Sequence, residues 1–545
     1  MLLTEILNVH SEMLNTARET NKNIKLQVKK IKRNFWWDKE IKDLHIKMRF
    51  FLKLYKNNQY SNFNYKMFKK RFRSEQRKRI KTKNDKKAWK LNLSYKDKNK
   101  FWKLIGLSCD ILEASFKKLF NNKIIKENQQ HEEYLNMVKR EVLDYEKNIK
   151  DNKEPYVIPE EDIKNILQNL KNGKSVGFND VTNEMYKYGM CDTIITIIKL
   201  VIEKIIQFGQ VPKIFNIGKI MPIIKDEDKP KNDLNNIRPI TISDVISNIY
   251  EKIMLKEIMK THEDPDKQLG FKKNSSCSHA IFTVKETIAK YNKKKKRVYA
   301  CAIDASKAFD KVNRDILFRK LMDKVHPQIW RSLRNYYSNL IALVFNESEI
   351  SNFFKTTIGV KQGRPLSPKY FSIYVEDLIR ELEGKNLGTR IHEYFTGVVM
   401  YADDILILTT SLKELQEELN IREKYGIQQE IKFNPEKTQF IVFGDKMKLG
   451  DHKPRMYNQE IEHVDKLRYL EFLLNRNNNN KDQVESRIKA AFRSFSSLRN
   501  LQTDNNYLTT KIKIHLYKVF LRPTLNIWFR KLRPNKATNK KNANN

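Results

Sequence analysis

The sequence predicts an α+β fold, on three observations. From about residue 160 to 475, stretches with helical spacing of apolar residues alternate with short apolar runs of strand length. The strand candidates are GKIMPII (218–224), RVYACAID (297–304), VVMY (398–401) and ILILTT (405–410). The last two flank Ala402-Asp403-Asp404, the pattern of a hairpin with acids at its turn.

Taken in order, residues 1–150 read as a basic helical N-terminal extension. Between Lys66 and Lys90, 13 of 25 residues are Lys or Arg, and Phe68, Phe72, Trp89, Tyr95, Phe101 and Trp102 are interleaved or follow. A cationic track with rings can hold phosphates and stack on bases. Two prolines and then Glu160, Glu161 and Asp162 make residues 151–163 a linker leading into a capped helix start. The mixed region, 151–475, ends at an Asn-rich loop, NRNNNNKD (475–482). Residues 476–530 return to helical spacing with Lys and Arg throughout, and 531–545 read as a disordered tail.

Composition narrows the partner. The chain has 545 residues, 106 Lys plus Arg against 65 Asp plus Glu, and a formal charge of +41. That excess points to a polyanion, either nucleic acid or an anionic membrane. Hydrophobic residues at 40% and aromatics at 11% exclude a wholly disordered chain. The four cysteines, Cys109, Cys191, Cys277 and Cys301, have neither zinc-module nor disulfide-framework spacing, so a reducing intracellular setting without a disulfide-linked partner is expected. The N-terminus lacks the features of a signal peptide. The longest apolar stretch, IITIIKLVIEKII, is interrupted by Lys199 and Glu203 and is too short to span a bilayer. Nucleic acid is therefore the favoured polyanion, and no membrane partner is expected.

The chemistry lies in carboxylates at strand ends. An apolar strand runs into Asp304, and a helix-like stretch follows it. Asp403 and Asp404 sit side by side between two strands, where like charges raise each other's pKa unless a cation neutralises them. Mg²⁺ resolves the conflict, because it takes hard oxygen ligands, typically one or two carboxylates completed by phosphate oxygens and water. Two such ions ~3.5–4 Å apart activate an attacking oxygen and stabilise a leaving one in phosphoryl transfer.

Three segments together resemble the reverse transcriptases of non-LTR (LINE-type) retrotransposons. They are Tyr401-Ala402-Asp403-Asp404, Ala302-Ile303-Asp304-Ala305-Ser306-Lys307-Ala308-Phe309-Asp310, and Gly359-Val360-Lys361-Gln362-Gly363-Arg364-Pro365-Leu366-Ser367-Pro368. The resemblance runs from about residue 160 to 530. It implies a right-hand polymerase with fingers, a palm carrying an antiparallel sheet, and a helical thumb. It also implies an RNA-directed DNA polymerase that transfers a nucleotide from a dNTP to a primer 3′-hydroxyl on an RNA template.

By the resemblance, Asp304, Asp403 and Asp404 are the catalytic metal site for two Mg²⁺ ions, with Mn²⁺ as a substitute. Asp404 supports the site more than it ligates, and the Ala305 carbonyl is a further ligand. Phe309 matches a steric gate under the sugar, where a bulky ring leaves no room for a 2′-hydroxyl. Lys225 and Arg238 match residues of the fingers that hold the triphosphate, and Gln362 and Gly363 match the nucleotide pocket. Lys437 matches a lysine near the leaving pyrophosphate, placed to act as general acid. Asn434 shapes the neighbouring turn, and Asp310 is a structural partner.

Gln268-Leu269-Gly270-Phe271-Lys272-Lys273 resembles a template-contacting segment of the family, and Lys174–Asp180 resembles a diverged loop of it. Leu467-Arg468-Tyr469-Leu470-Glu471 resembles the primer-gripping hairpin, with Glu471 where the family has glycine. Tyr517–Trp528 resembles later thumb helices. The partners implied are template RNA, the RNA–DNA hybrid and dNTPs, with the nucleus as the expected site and the cytoplasm as the alternative. Residues 1–150 would be the remnant of the linker after an endonuclease, Trp36-Trp37-Asp38 being typical of that join, and the thumb would be cut short. Three other readings stay open at this level: a viral-type RNA polymerase, an inactive RNA-binding relic of such an element, and an intron-encoded maturase.

Overall fold

The computed structural model describes residues 108–121, 129–149, 156–499 with short internal gaps, and 509–524, together with isolated positions between 48 and 70. Most of the Lys66–Lys90 track, Trp36-Trp37-Asp38, the stretch 151–155, the end of Tyr517–Trp528 and the tail 531–545 lie outside the described residues.

The helices are α1 (Cys109–Asn121), α2 (Gln129–Asn148), α3 (Glu160–Gln168), α4 (Asn183–Tyr188) and α5 (Asp192–Phe208). Strands β1 (Ile217–Ile224) and β2 (Ile237–Ile242) come next, followed by α6 (Val245–Thr261), α7 (Cys277–Lys293) and β3 (Val298–Ala305). After β3 come α8 (Arg314–Leu321), α9 (Pro327–Ser338), β4 (Ile341–Asn346), β5 (Glu349–Ile350), β6 (Phe354–Lys355) and α10 (Leu366–Gly384). A short hairpin, β7 (Arg390–Ile391) and β8 (Tyr394–Phe395), leads to β9 (Val398–Tyr401), β10 (Asp404–Thr409), α11 (Leu412–Gln428) and β11 (Phe433–Phe443). The remaining pieces are β12 (Arg455–Met456), β13 (Gln459–Glu460), β14 (Glu462–His463), β15 (Lys466–Tyr469), β16 (Phe472–Asn475), α12 (Lys481–Arg499) and α13 (Thr510–Leu516).

The four strands expected from apolar runs are present as β1, β3, β9 and β10. The helix expected directly after Asp304 is not. A tight turn and a 3₁₀ turn over Phe309–Lys311 intervene before α8, because Lys307 takes a left-handed backbone conformation (φ +54°) that ends any helical run. The interrupted apolar stretch is α5. Its Ile195, Ile198, Ile202, Ile205 and Ile206 are buried along one stripe. Lys199 reaches Glu160 at 3.3 Å and Glu203 accepts from the Ile158 amide at 2.9 Å. Among the described residues no helix is long and apolar enough to cross a membrane.

Two sheets organise the body. The first has the order β14-β11-β3-β10-β9 and is antiparallel except for the β11–β14 pair. Both of its faces are covered, so its strands read as continuous apolar runs rather than alternating ones. One face puts Cys301, Ile303, Ile405 and Phe440 into the main core with α10 and α11. The other puts Ala300, Leu406, Leu408 and Ile441 against α7 and the β15–β16 hairpin. The second sheet has the order β2-β1-β4-β5, with β6 also on β4.

Helices α1 and α2, which the sequence reading put in the N-terminal extension, pack on this body. Asn121 donates to the Lys355 carbonyl at 3.0 Å, Tyr145 to the Met322 carbonyl at 3.2 Å, and Arg319 pairs with Glu141 at 2.6 Å.

Candidate active site

The acids meet at one edge of the first sheet. Strand β3 ends there and β10 begins there, with Ile303 paired to Ile405, so Asp304 lies level with Asp404 across the ladder. Tyr401 pairs with Asp404, which makes Ala402-Asp403 a two-residue hairpin turn. On its other side β3 pairs with β11, where Asn434 stands opposite Asp304.

Ala402 occupies the left-handed region (φ +59°), a costly conformation for a residue with a Cβ. A buried clamp holds it. The Gln268 side-chain oxygen accepts from the Ala402 amide at 2.9 Å, and its side-chain nitrogen donates to the Ala402 carbonyl at 3.3 Å. The Leu269 and Met400 amides add bonds to the Met400 and Lys267 carbonyls. Gly270 follows because a Cβ there would lie 2.3 Å from the Ala402 nitrogen. Gln268 is 1% exposed and its amide is taken up by Ala402, whereas Phe271 of the same segment is 64% exposed. Gln268 builds the turn that carries Asp403.

The carboxylates lack enough positive charge. Burial pushes the Asp403 carboxyl up and the Asp304 charge adds to it, while Arg238 pulls it down. Asp404 is exposed, yet enough protein surrounds its carboxyl that desolvation is the first influence. Asp403, Asp304 and Glu471 add to it, and the pKa is pushed up to about 6. The close cation is Lys437, 3.4 Å from Asp304. It sits where the β11 pairing slips between Asn434 and Gln439, and that bulge turns it toward β3. Asn434 shapes the bulge by accepting from the Glu436 amide at 3.1 Å.

A second group of residues faces the acids. Lys225 leaves the end of β1, and Arg238 lies exposed on β2 opposite Ile223. Burial pushes the Lys225 amine down, and the charges of Lys307, Arg238 and Lys437 push it further. The two groups are joined through residues 359–363. The Val360 amide bonds the Phe309 carbonyl, the Gly359 amide bonds the Val312 carbonyl, and the Thr241 amide bonds the Gln362 carbonyl. Gln362 also donates from its side chain to Asp310 at 2.8 Å. Gly363 turns at φ +88° against β2. Ala305 is buried opposite Phe433, and Phe309 stacks on Phe371 at 4.8 Å between ring centres.

Lys361 and Arg364, in the same segment, point away from the acids. Arg364 donates to buried Glu251 at 2.9 Å, and Lys361 donates to the Tyr336 hydroxyl at 3.0 Å, its amine pushed down to about 7 by burial. Sequence reading missed this polar anchor and the clamp of Gln268 on Ala402, because each contact joins segments far apart in the chain.

The pattern matches a known family. The model of the reverse transcriptase (RNA-dependent DNA polymerase) family matches residues 229–474, which hold every one of the acids above. Residues 229–474 are a reverse transcriptase domain. Three similar proteins match over longer stretches. The RNA-directed DNA polymerase from mobile element jockey of Drosophila funebris is 24% identical over 377 residues, 67% of this chain and 40% of that protein. The retrovirus-related Pol polyprotein from type-1 retrotransposable element R2 of Nasonia vitripennis is 26% identical over 292 residues, 51% of this chain and 28% of that protein. The probable RNA-directed DNA polymerase from transposon X-element of Drosophila melanogaster is 22% identical over 380 residues. The chain thus spans less than half the length of these relatives.

Reverse transcriptases use divalent metals, and the donor set of this domain suits one. Its carboxylates are hard oxygen donors whose mutual repulsion a bound cation relieves. Among the described residues no three His, Cys, Asp or Glu side chains form a complete metal cage.

Proposed function

We propose that the chain is an RNA-directed DNA polymerase of a non-LTR retrotransposon, adding dNTPs to a primer 3′-hydroxyl on an RNA template. The observation that carries this reading is Asp304 meeting Asp403 and Asp404 at one sheet edge, faced by Lys225, Arg238 and Lys437. In this reading the first sheet with α10 and α11 is the palm. The second sheet is the core of the fingers, and α12 and α13 belong to the thumb.

Asp304 and Asp403 would hold two Mg²⁺ ions, with the Ala305 carbonyl as a further ligand and Asp404 supporting. When bound, such ions lower the barrier by stabilising the attacking and leaving oxygens of an in-line displacement. The remaining work falls to side chains. Lys225 and Arg238 hold triphosphate oxygens as a point charge and a planar fork, and they neutralise charge that builds up as the α-phosphate is attacked. Phe309, fixed by its stack on Phe371, closes the space under the sugar and selects deoxynucleotides. Lys437, already beside Asp304, gives a proton to the departing pyrophosphate. Gln362 aligns the pocket through Asp310.

Homopolymer-templated primer extension tests the reading. Wild type is expected to extend the primer with Mg²⁺, while Asp403→Asn loses synthesis by at least about a thousandfold and binds RNA with unchanged affinity. Equal synthesis by both proteins would refute the site. RNA binding by wild type without extension in Mg²⁺ or Mn²⁺ would make the chain a relic.

A further inference from the structure

Lys307 has no role in the reading so far, and its surroundings give it one. It sits three residues after Asp304, in the turn that closes with the Asp310 amide bonding the Lys307 carbonyl at 3.0 Å. Its left-handed backbone (φ +54°) is uncommon for a residue with a side chain. From there the amine reaches across to the connection between β1 and β2 and donates to the Asn235 side-chain oxygen at 3.2 Å. Lys225 donates to the backbone oxygen of the same residue at 2.8 Å. Two ammonium groups from separate elements therefore converge on a pair of oxygens on one neutral residue.

The charges around them are unbalanced. Among the described residues, none of Lys225, Lys307 and Arg238 has a carboxylate at ion-pair distance. Lys307 presses on Lys225 more strongly than any other charge does. Asp310, the acid whose charge acts on Lys225, is 3% exposed and is taken up by Gln362. Like charges gathered without counter-charge oppose folding. A polyanion whose oxygens replace those of Asn235 reverses the sign of that contribution.

We propose that Lys307 is a further triphosphate ligand, acting with Lys225, Arg238 and Lys437, and that Asn235 lends its two oxygens to the lysines as stand-ins for phosphate oxygens. The choice of a triphosphate rests on the polymerase reading; the anion site itself rests on the lysine geometry. Lys307 stands beside Asp304 and Lys225 stands across from it, so the polyphosphate is gripped from both sheets at once.

Two measurements on the full chain test this: calorimetric binding of inorganic tripolyphosphate, and KM for dNTP in primer extension. Lys307→Met is expected to weaken tripolyphosphate binding and to raise KM about tenfold, with Lys307→Arg recovering most of both. Lys385→Met, which removes the same charge from the end of α10, is expected to change neither. An unchanged tripolyphosphate affinity in Lys307→Met overturns the inference, as does an equal loss in Lys385→Met or a wild type that does not bind the anion. Lys307-dependent binding by a wild type that never extends a primer leaves the anion site standing and removes the polymerase reading.

Discussion

Asp310 lies buried between the turn after β3 and the 359–363 segment, and burial pushes its carboxyl up to about 7 against the pull of Gln362, Lys225 and Lys307. The folded chain therefore binds this proton more tightly than the unfolded chain. Its contribution to stability is complete below about pH 4 and is lost as the pH rises through about 7. Asp310→Asn keeps an acceptor for Gln362 and removes the titration. Between pH 6 and pH 9 the melting temperature of wild type is expected to fall by more than that of the variant; parallel curves would show that Asp310 is not held protonated. Glu471 makes a second case. Leu470 and Glu471 both have positive φ (49° and 60°) in the β15–β16 turn, and the Glu471 charge helps to raise Asp404. Glu471→Gly is expected to stabilise the fold by about 1 kcal/mol in thermal unfolding. By removing one of the charges that raise Asp404, it is also expected to move the acidic limb of the extension pH profile to lower pH.

At the scale of elements, the acidic hairpin was legible because two apolar runs leave only a turn's worth of residues between them. Its support was not. Gln268 is 134 residues from Ala402, and no local pattern announces that its amide replaces the turn's missing partners. Gly270→Ala is expected to disturb the hairpin, since the new methyl would lie 2.3 Å from the Ala402 nitrogen and backbone cannot yield as a side-chain tip does. Extension is expected to fall at least about tenfold at a stability cost of about 1–3 kcal/mol, while RNA affinity holds. A fully active Gly270→Ala would show that the clamp is dispensable. The turn after β3 shows the opposite limit. Its residues suggested a helix start, and the left-handed Lys307 and the bonds from Val360 and Gly359 made it a 3₁₀ turn.

At the scale of the whole molecule, a net charge of +41 and the cations around the acids favour contacts to a nucleic-acid backbone. A-form geometry hides the deep groove from side chains, so recognition of the hybrid is expected to follow shape and charge. The logarithm of hybrid affinity is then expected to fall linearly with that of salt concentration, with a slope steeper than about −4. A flat dependence would mean that the charge excess is not used for binding.

Unaided, the sequence determined which residues can do chemistry and that they end apolar strands, since burying both faces of one sheet requires the continuous runs it shows. It also determined the sign of the partner's charge. Tertiary structure alone decided that Asp304 stands level with Asp404, that a bulge turns Lys437 toward β3, and that Lys307 and Lys225 meet over Asn235. The reason is range. Strand pairing and side-chain burial act between segments that packing brings together, and neither spacing nor composition encodes which strand edge meets which.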